Sequence, residues 1–326
     1  MAHGKHLAAL IALFLGAQAV PGTAGRDSST STGMTPRTEP SGSLAPRPVV
    51  FEPNVGQFEP EVRYRAGTAA GMSLSLTDAA GVLSLGTGPG SPRQVRITPL
   101  GASRHARPGG IERLAGVVNH FESAAPAGWH AGVPTYGRVR YPAVYPGIDL
   151  VYHGSPDQLE YDFVVGRGAD PSRIAVRFDG ADRVELDPAG DLRVHVGDAV
   201  IRQRAPYAFQ EHAGERRRVE ARYRLTKAGD VAFAIGAYDR RLPLVIDPIL
   251  LYSSYLDAHY FSTRAAVDGT GHLVVVTARS ATFSSPPLGI TIERLTPDGQ
   301  TAIYTTSIGL DYFSVVALAA TATTLK

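Results

Sequence analysis

The densest set of ionisable side chains lies between Ile148 and Val165, where Asp149, His153, Glu160 and Asp162 alternate with Leu150, Tyr152, Leu159, Tyr161 and Phe163. A period of two sends successive side chains to opposite faces of a strand, so this pattern predicts a hairpin with one greasy and one charged face. With Gly154-Ser155-Pro156-Asp157 as its loop, His153 falls opposite Gln158, Val151 opposite Glu160, and Asp149 opposite Asp162. Two carboxylates placed across from each other repel, so this register demands a compensating positive charge. Three chemistries would supply it or use its lack. One is a structural arginine, with Arg138, Arg140 and Arg173 as candidates; another is a divalent cation on the oxygens of Asp149, Glu160 and Asp162. The third is a glycosidase-like acid and nucleophile pair, which needs carboxyls about 5–9 Å apart in a cleft. Tyr145 and Tyr152, with Tyr136 and Tyr141, are either core and rim aromatics or a stacking platform for carbohydrate.

Elsewhere the chemistry is thinner. His120 and His130 flank Trp129 without metal-ligand spacing on one strand face. The metalloprotease, nucleophile-elbow, phosphate-loop and dinucleotide-loop motifs do not occur. Arg202, Arg204, Arg216, Arg217, Arg218, Arg222 and Arg224 make a basic stretch, broken by Glu211, Glu215 and Glu220, that reads as a solvated strand face. With 32 basic and 30 acidic side chains the formal charge is +2, which gives no reason to expect a nucleic-acid partner. The absence of cysteine excludes disulfides, thiolate metal sites and a Cys nucleophile.

The elements that must position these residues are strands. Apolar residues are 44% of the 326-residue chain, while 35 Gly and 24 Pro punctuate it too often for long helices. Alternating windows at 72–76, 94–97, 174–178 and 192–196, spaced by turn residues, predict a sandwich-like or barrel-like antiparallel domain over 49–250. Two segments, from Asp187 to Val194 and from Asp268 to Val275, share the spacing D-x-x-G-x-L-x-V. The Asp can accept from the backbone and the Gly can take positive φ, so both predict tight hairpins. Neither has the spaced oxygens of a calcium loop.

The ends of the chain add location and a repeat. Residues 1–19, with Lys5, the apolar run Leu7 to Leu15 and Ala17-Gln18-Ala19, have the form of a secretory signal peptide cleaved after Ala19. The apolar run is too short to span a bilayer, so no transmembrane segment is expected after cleavage. Residues 20–48, rich in Ser, Thr, Pro and Gly, predict a disordered linker. At an offset of 52, Tyr252-Ser253-Ser254-Tyr255-Leu256 lies over Tyr304-Thr305-Thr306-Ser307-Ile308, and Tyr260-Phe261-Ser262 over Tyr312-Phe313-Ser314. Strand signals at 265–267, 272–278, 290–295 and 300–305 fill the interval. Four short strands in about 50 residues match one propeller blade, so 251–326 reads as one full and one partial propeller-type repeat.

Several stretches together resemble a known group. They are Phe51-Glu52-Pro53-Asn54-Val55-Gly56-Gln57-Phe58, the run from Val144 to Val165, Arg202-Gln203-Arg204-Ala205-Pro206, and Pro243-Leu244-Val245-Ile246-Asp247-Pro248. The chain is similar to bacterial exported proteins that carry an N-terminal β domain followed by SBBP-type (Solibacter-like) β-propeller repeats. The resemblance covers about 50–260 and implies an exported β scaffold with no catalytic site to carry over. The expectation is a secreted or cell-envelope, non-catalytic binding or adhesion module, facing carbohydrate or another protein. Its rival is an envelope-localised hydrolase acting on polysaccharide through Asp149, Glu160 and Asp162.

Overall fold

The computed structural model describes residues 49–67, 72–85, 93–121, 126–155, 158–253, 261–268, 270–280, 287–299 and 301–309. The expected signal peptide and linker lie outside them. The fold is all-β: among the described residues the only helical segments are 3-10 turns at Pro126–Gly128 and Pro171–Arg173. The alternating windows become strands Ser73–Thr77, Arg93–Pro99, Ala175–Asp179 and Leu192–Val196. In the last, Leu192, Val194 and Val196 are buried while Arg193 is exposed, as a half-buried strand requires.

Pairing builds two limbs from one antiparallel ribbon. The first runs by successive neighbours through Phe51–Pro53, Val62–Gly67, Ser73–Thr77, Gly81–Leu85 and Arg93–Pro99. It continues through Ala175–Asp179 to Val231–Ile235 and Ala221–Leu225. At Phe51, opposite Tyr136, it joins the long strand His130–Tyr145, which leads into the second limb through Ile148–Ser155 and Gln158–Val165. There the ladder branches: Val165 to Phe163 pair with Leu244 to Ile246, and Glu160 and Leu159 with Ile249 and Leu250. One branch proceeds to Tyr207–His212 and Glu215–Val219, the other to Ala199–Gln203, Leu192–Val196 and Arg183–Leu186.

A chain of aromatic rings fills the space between the limbs. Tyr141, Tyr152, Tyr161, Phe163, Phe233 and Tyr223 contact one another in that order with centroids 5.6 to 5.9 Å apart. Burial of a large apolar side chain contributes roughly 1.5–3 kcal/mol, and edge-on ring contacts add to it, so this line of rings dominates the cohesion of the domain. The ribbon is an open sandwich-like arrangement, not a closed barrel.

Later in the chain come four further antiparallel strands, Phe261–Val267, Leu273–Ser280, Pro287–Leu295 and Ala302–Gly309, close to the four strand signals in the sequence. The last pairs in parallel with Val117 to Phe121 of strand Gly109–Phe121, and Asn119 donates a side-chain hydrogen bond to Thr306 at 3.1 Å. Gly116 permits the contact: a Cβ there would overlap the Ala302 carbonyl oxygen. The second copy of the repeat begins at Tyr304 within the last of these strands, and its remainder, beyond 309, lies outside the described residues.

Candidate functional site

Strands Ile148–Ser155 and Gln158–Val165 form the expected hairpin, with a different register. Ser155 stands opposite Gln158, His153 opposite Glu160, Val151 opposite Asp162, and Asp149 opposite Val164. The strands run on to the residues flanking 156 and 157, so the connection is two residues long instead of four. A slip of two residues preserves the faces, since side chains alternate with period two. Leu150, Tyr152, Leu159, Tyr161 and Phe163 are all buried in the core, as the alternation predicts. What changes is the charge pairing. The repulsive Asp149–Asp162 pair does not form, and a histidine takes the place between carboxylates.

Asp149 is absorbed by its neighbours on strand His130–Tyr145. Arg140 donates to its Oδ2 through Nε at 3.0 Å and Nη2 at 2.6 Å, and the Ala143 N–H donates to Oδ1 at 2.6 Å. Ala143 sits at φ 49° where the register slips between Tyr141 and Tyr145. Asp149 therefore holds a bulge in place, and of the three arginine candidates Arg140 is the one that pairs with it.

His153 lies between the other two carboxylates, with Nδ1 3.5 Å from Glu160 Oε2 and Nε2 3.0 Å from Asp162 Oδ2. The second contact is an ion-pair approach outside hydrogen-bonding alignment, since His153 Nε2 and Asp162 Oδ1 are buried without a hydrogen-bond partner. Burial would lower the pKa of the imidazole, but its contact with Asp162 and the charges of Asp162 and Glu160 outweigh burial and the opposing Arg138, so it is raised. A fourth member was missed in the sequence. The register that pairs Ile246 with Phe163 brings Asp247 beside Asp162. Burial, then the charges of Asp162 and Glu160, push its carboxyl up to about 6, against the opposing pull of His153 and Arg216. Its signal was an acidic residue between Ile246 and Pro248 in an otherwise apolar run.

The alternative of a cation on Asp149, Glu160 and Asp162 is not assembled. Asp149 is engaged by Arg140, apart from the His153 cluster, and among the described residues no group of three or more His, Asp or Glu has an arrangement that could hold a metal ion. Nor do Tyr145 and Tyr152 form a carbohydrate platform. Both are buried, Tyr145 donating to the Ala175 carbonyl at 3.0 Å and Tyr152 standing between Tyr141 and Tyr161, because their positions alternate onto the core face. His120 meets Glu52 at 2.6 Å and packs edge-on against Phe58, while Trp129 stays 42% exposed beside Phe121. In the basic stretch, Arg202 holds the buried Asp191, and Arg216 and Arg218 lie over the rings of Phe209 and Tyr207.

On the core side of the same hairpin is a cavity of about 430 Å³. Its floor is Tyr141, Val144, Leu150 and Tyr152, and its mouth carries Asp78, Arg104 and Arg107. Among the described residues no helix is long and apolar enough to cross a membrane.

These features belong to a class defined by its fold alone, an open all-β domain with a part-buried cluster of one histidine and three carboxylates on one strand face. Residues 51–249 match the family described as a domain of unknown function, DUF7948, and the chain belongs to that family. No curated protein and no solved structure matches it.

Proposed function

We propose that the protein is an exported, non-catalytic β scaffold of the cell surface or exterior, which binds or adheres through its loops and carries its propeller-type tail behind the main domain. The observation that supports this most is the disposal of the carboxylates. Asp149 is spent on Arg140 and a bulge N–H, and Glu160 and Asp162 close on His153, so the acidic groups stabilise strands instead of flanking a substrate. The leader-like residues 1–19 and the linker-like 20–48 support export.

One preparation tests both halves. The full chain, expressed in a bacterial host and recovered from the extracytoplasmic fraction, is expected to begin at Val20 by N-terminal sequencing. It is expected to release no reducing sugar from cell-wall polysaccharides between pH 4 and pH 8. An uncleaved product confined to the cytosol overturns export. Turnover abolished by Glu160→Gln or Asp162→Asn overturns the non-catalytic assignment and establishes the hydrolase.

A further inference from the structure

The cavity beneath the hairpin has the makings of a ligand site. At about 430 Å³ it lies within the roughly 300–1,000 Å³ of small-molecule pockets. Its walls are pinned by backbone bonds. The Thr77 and Ala80 turn closes through Thr77 N–H to the Ala80 carbonyl at 2.9 Å, and Tyr141 donates its hydroxyl to the Thr77 carbonyl at 2.6 Å. On the other side the Ser103 N–H donates to the Val144 carbonyl at 2.8 Å, fastening the segment that carries Arg104 and Arg107. A space held open this way costs little to reorganise when a ligand enters.

Two observations fix what would fill it. The first is the Tyr152 hydroxyl, on a side chain only 1% exposed, which belongs to the cavity wall. Gly81 leaves room for it, since a Cβ there would lie 2.9 Å from the oxygen. A tyrosine hydroxyl on a cavity wall can donate to an oxygen of a bound ligand. The second is the charge at the mouth. Asp78 is committed to Arg63 through two bonds at 2.9 and 3.0 Å, and Arg107 approaches it only to 3.7 Å. The Arg104 guanidinium is exposed and pairs with no carboxylate among the described residues. The mouth is therefore net positive over an apolar floor.

We propose that this cavity binds a small organic anion: an aromatic or branched aliphatic body seated on Tyr141, Val144 and Leu150, an acidic group facing Arg104 and Arg107, and an oxygen within reach of Tyr152. The proposal gives a ligand class to the binding role above, yet it is measured on the purified chain, so a failure of export leaves it untouched.

Isothermal titration of the full chain with 1-naphthoate tests it, with 1-naphthalenemethanol as the uncharged counterpart. Saturable one-to-one binding of the carboxylate is expected, at least tenfold tighter than the alcohol. Arg104→Glu, an exposed change, should weaken it at least tenfold, and Ala102→Trp, which fills the mouth, should abolish it. Tyr152→Phe should weaken binding several-fold without lowering the melting temperature. Absence of saturation at millimolar naphthoate overturns the proposal, as does equal affinity in Arg104→Glu. So does a Tyr152→Phe chain that loses stability while binding as before.

Discussion

The turns from Asp187 and from Asp268 are the same structure in two different settings. In each, the Asp N–H donates to the carbonyl four residues on, and the Gly N–H donates back to the Asp carbonyl. The Asp Oδ1 accepts from two backbone donors: Ala189 and Asp191 in one turn, Thr270 and His272 in the other. Gly190 and Gly271 take φ of 86° and 84°, a region open to glycine without steric cost. The strands that leave the two turns differ. Leu192 and Val194 are fully buried against the second limb, whereas Leu273 is half-exposed and Val275 is the first deeply buried residue of its strand. Turn chemistry is contained in eight residues. Burial depends on what the rest of the chain places opposite.

The largest test of that contrast is truncation of the equivalent leucines. Leu192→Ala is expected to cost about 2–5 kcal/mol in urea unfolding and Leu273→Ala about 1 kcal/mol or less. Equal costs would show that the tail has a core of the same quality. A second test separates the regions. Gly116→Val drives a side chain into the Ala302 carbonyl, a clash on the order of 1–3 kcal/mol. Limited proteolysis should then remove the segment after Ser253 while the 51–249 domain keeps its melting temperature. Joint unfolding would mean the two are one cooperative unit.

The third test uses pH. The raised carboxyl of Asp247 keeps its proton in the folded chain between about pH 4 and pH 6, where the unfolded chain has lost it. Its contribution is therefore complete below about pH 4 and is lost as pH rises through about 6. The raised His153 acts in the same sense, its contribution falling away as pH passes its folded pKa. Discounted for the screening of a part-buried group, Asp247→Asn should stabilise the domain at pH 8 by on the order of 1 kcal/mol and have little effect at pH 4. A loss of stability at pH 8 would mean that the ionised carboxylate is needed.

The smallest effects belong to the turns themselves. Asp187→Ala and Asp268→Ala each remove the same two backbone acceptor contacts, so each melting temperature should fall by about 2–4 °C. Asp268→Ala should fall further, because Asp268 also receives Arg294 Nε at 2.9 Å. Asp268 is held below its ordinary pKa by the Thr270 hydroxyl and these other donors against desolvation. Its contribution is thus present above about pH 4 and lost as pH falls further, opposite in sign to Asp247.

Period-two patterning was enough to place the buried face of the 148–165 hairpin, the four strands of the tail and both Asp–Gly turns, because each depends on neighbours within a few residues. The charged face of that hairpin was legible only as a set of residues. Its pairing turned on whether the loop held two residues or four, a choice the side-chain alternation does not distinguish because both keep the same face inward. Asp247 could not be tied to Asp162 from sequence at all: 85 residues separate them, and only the ladder between Leu244–Asp247 and Gln158–Val165 brings them side by side. The same holds for the cavity. Alternation sends Tyr152 inward, but whether its hydroxyl meets a partner or a space depends on how the Thr77 turn and the Ser103 segment lie over the strand. Strand, face and turn were readable from the order of residues because they are local properties of the backbone. Which charges meet and where room is left emerged only on folding, since both follow from packing between distant segments.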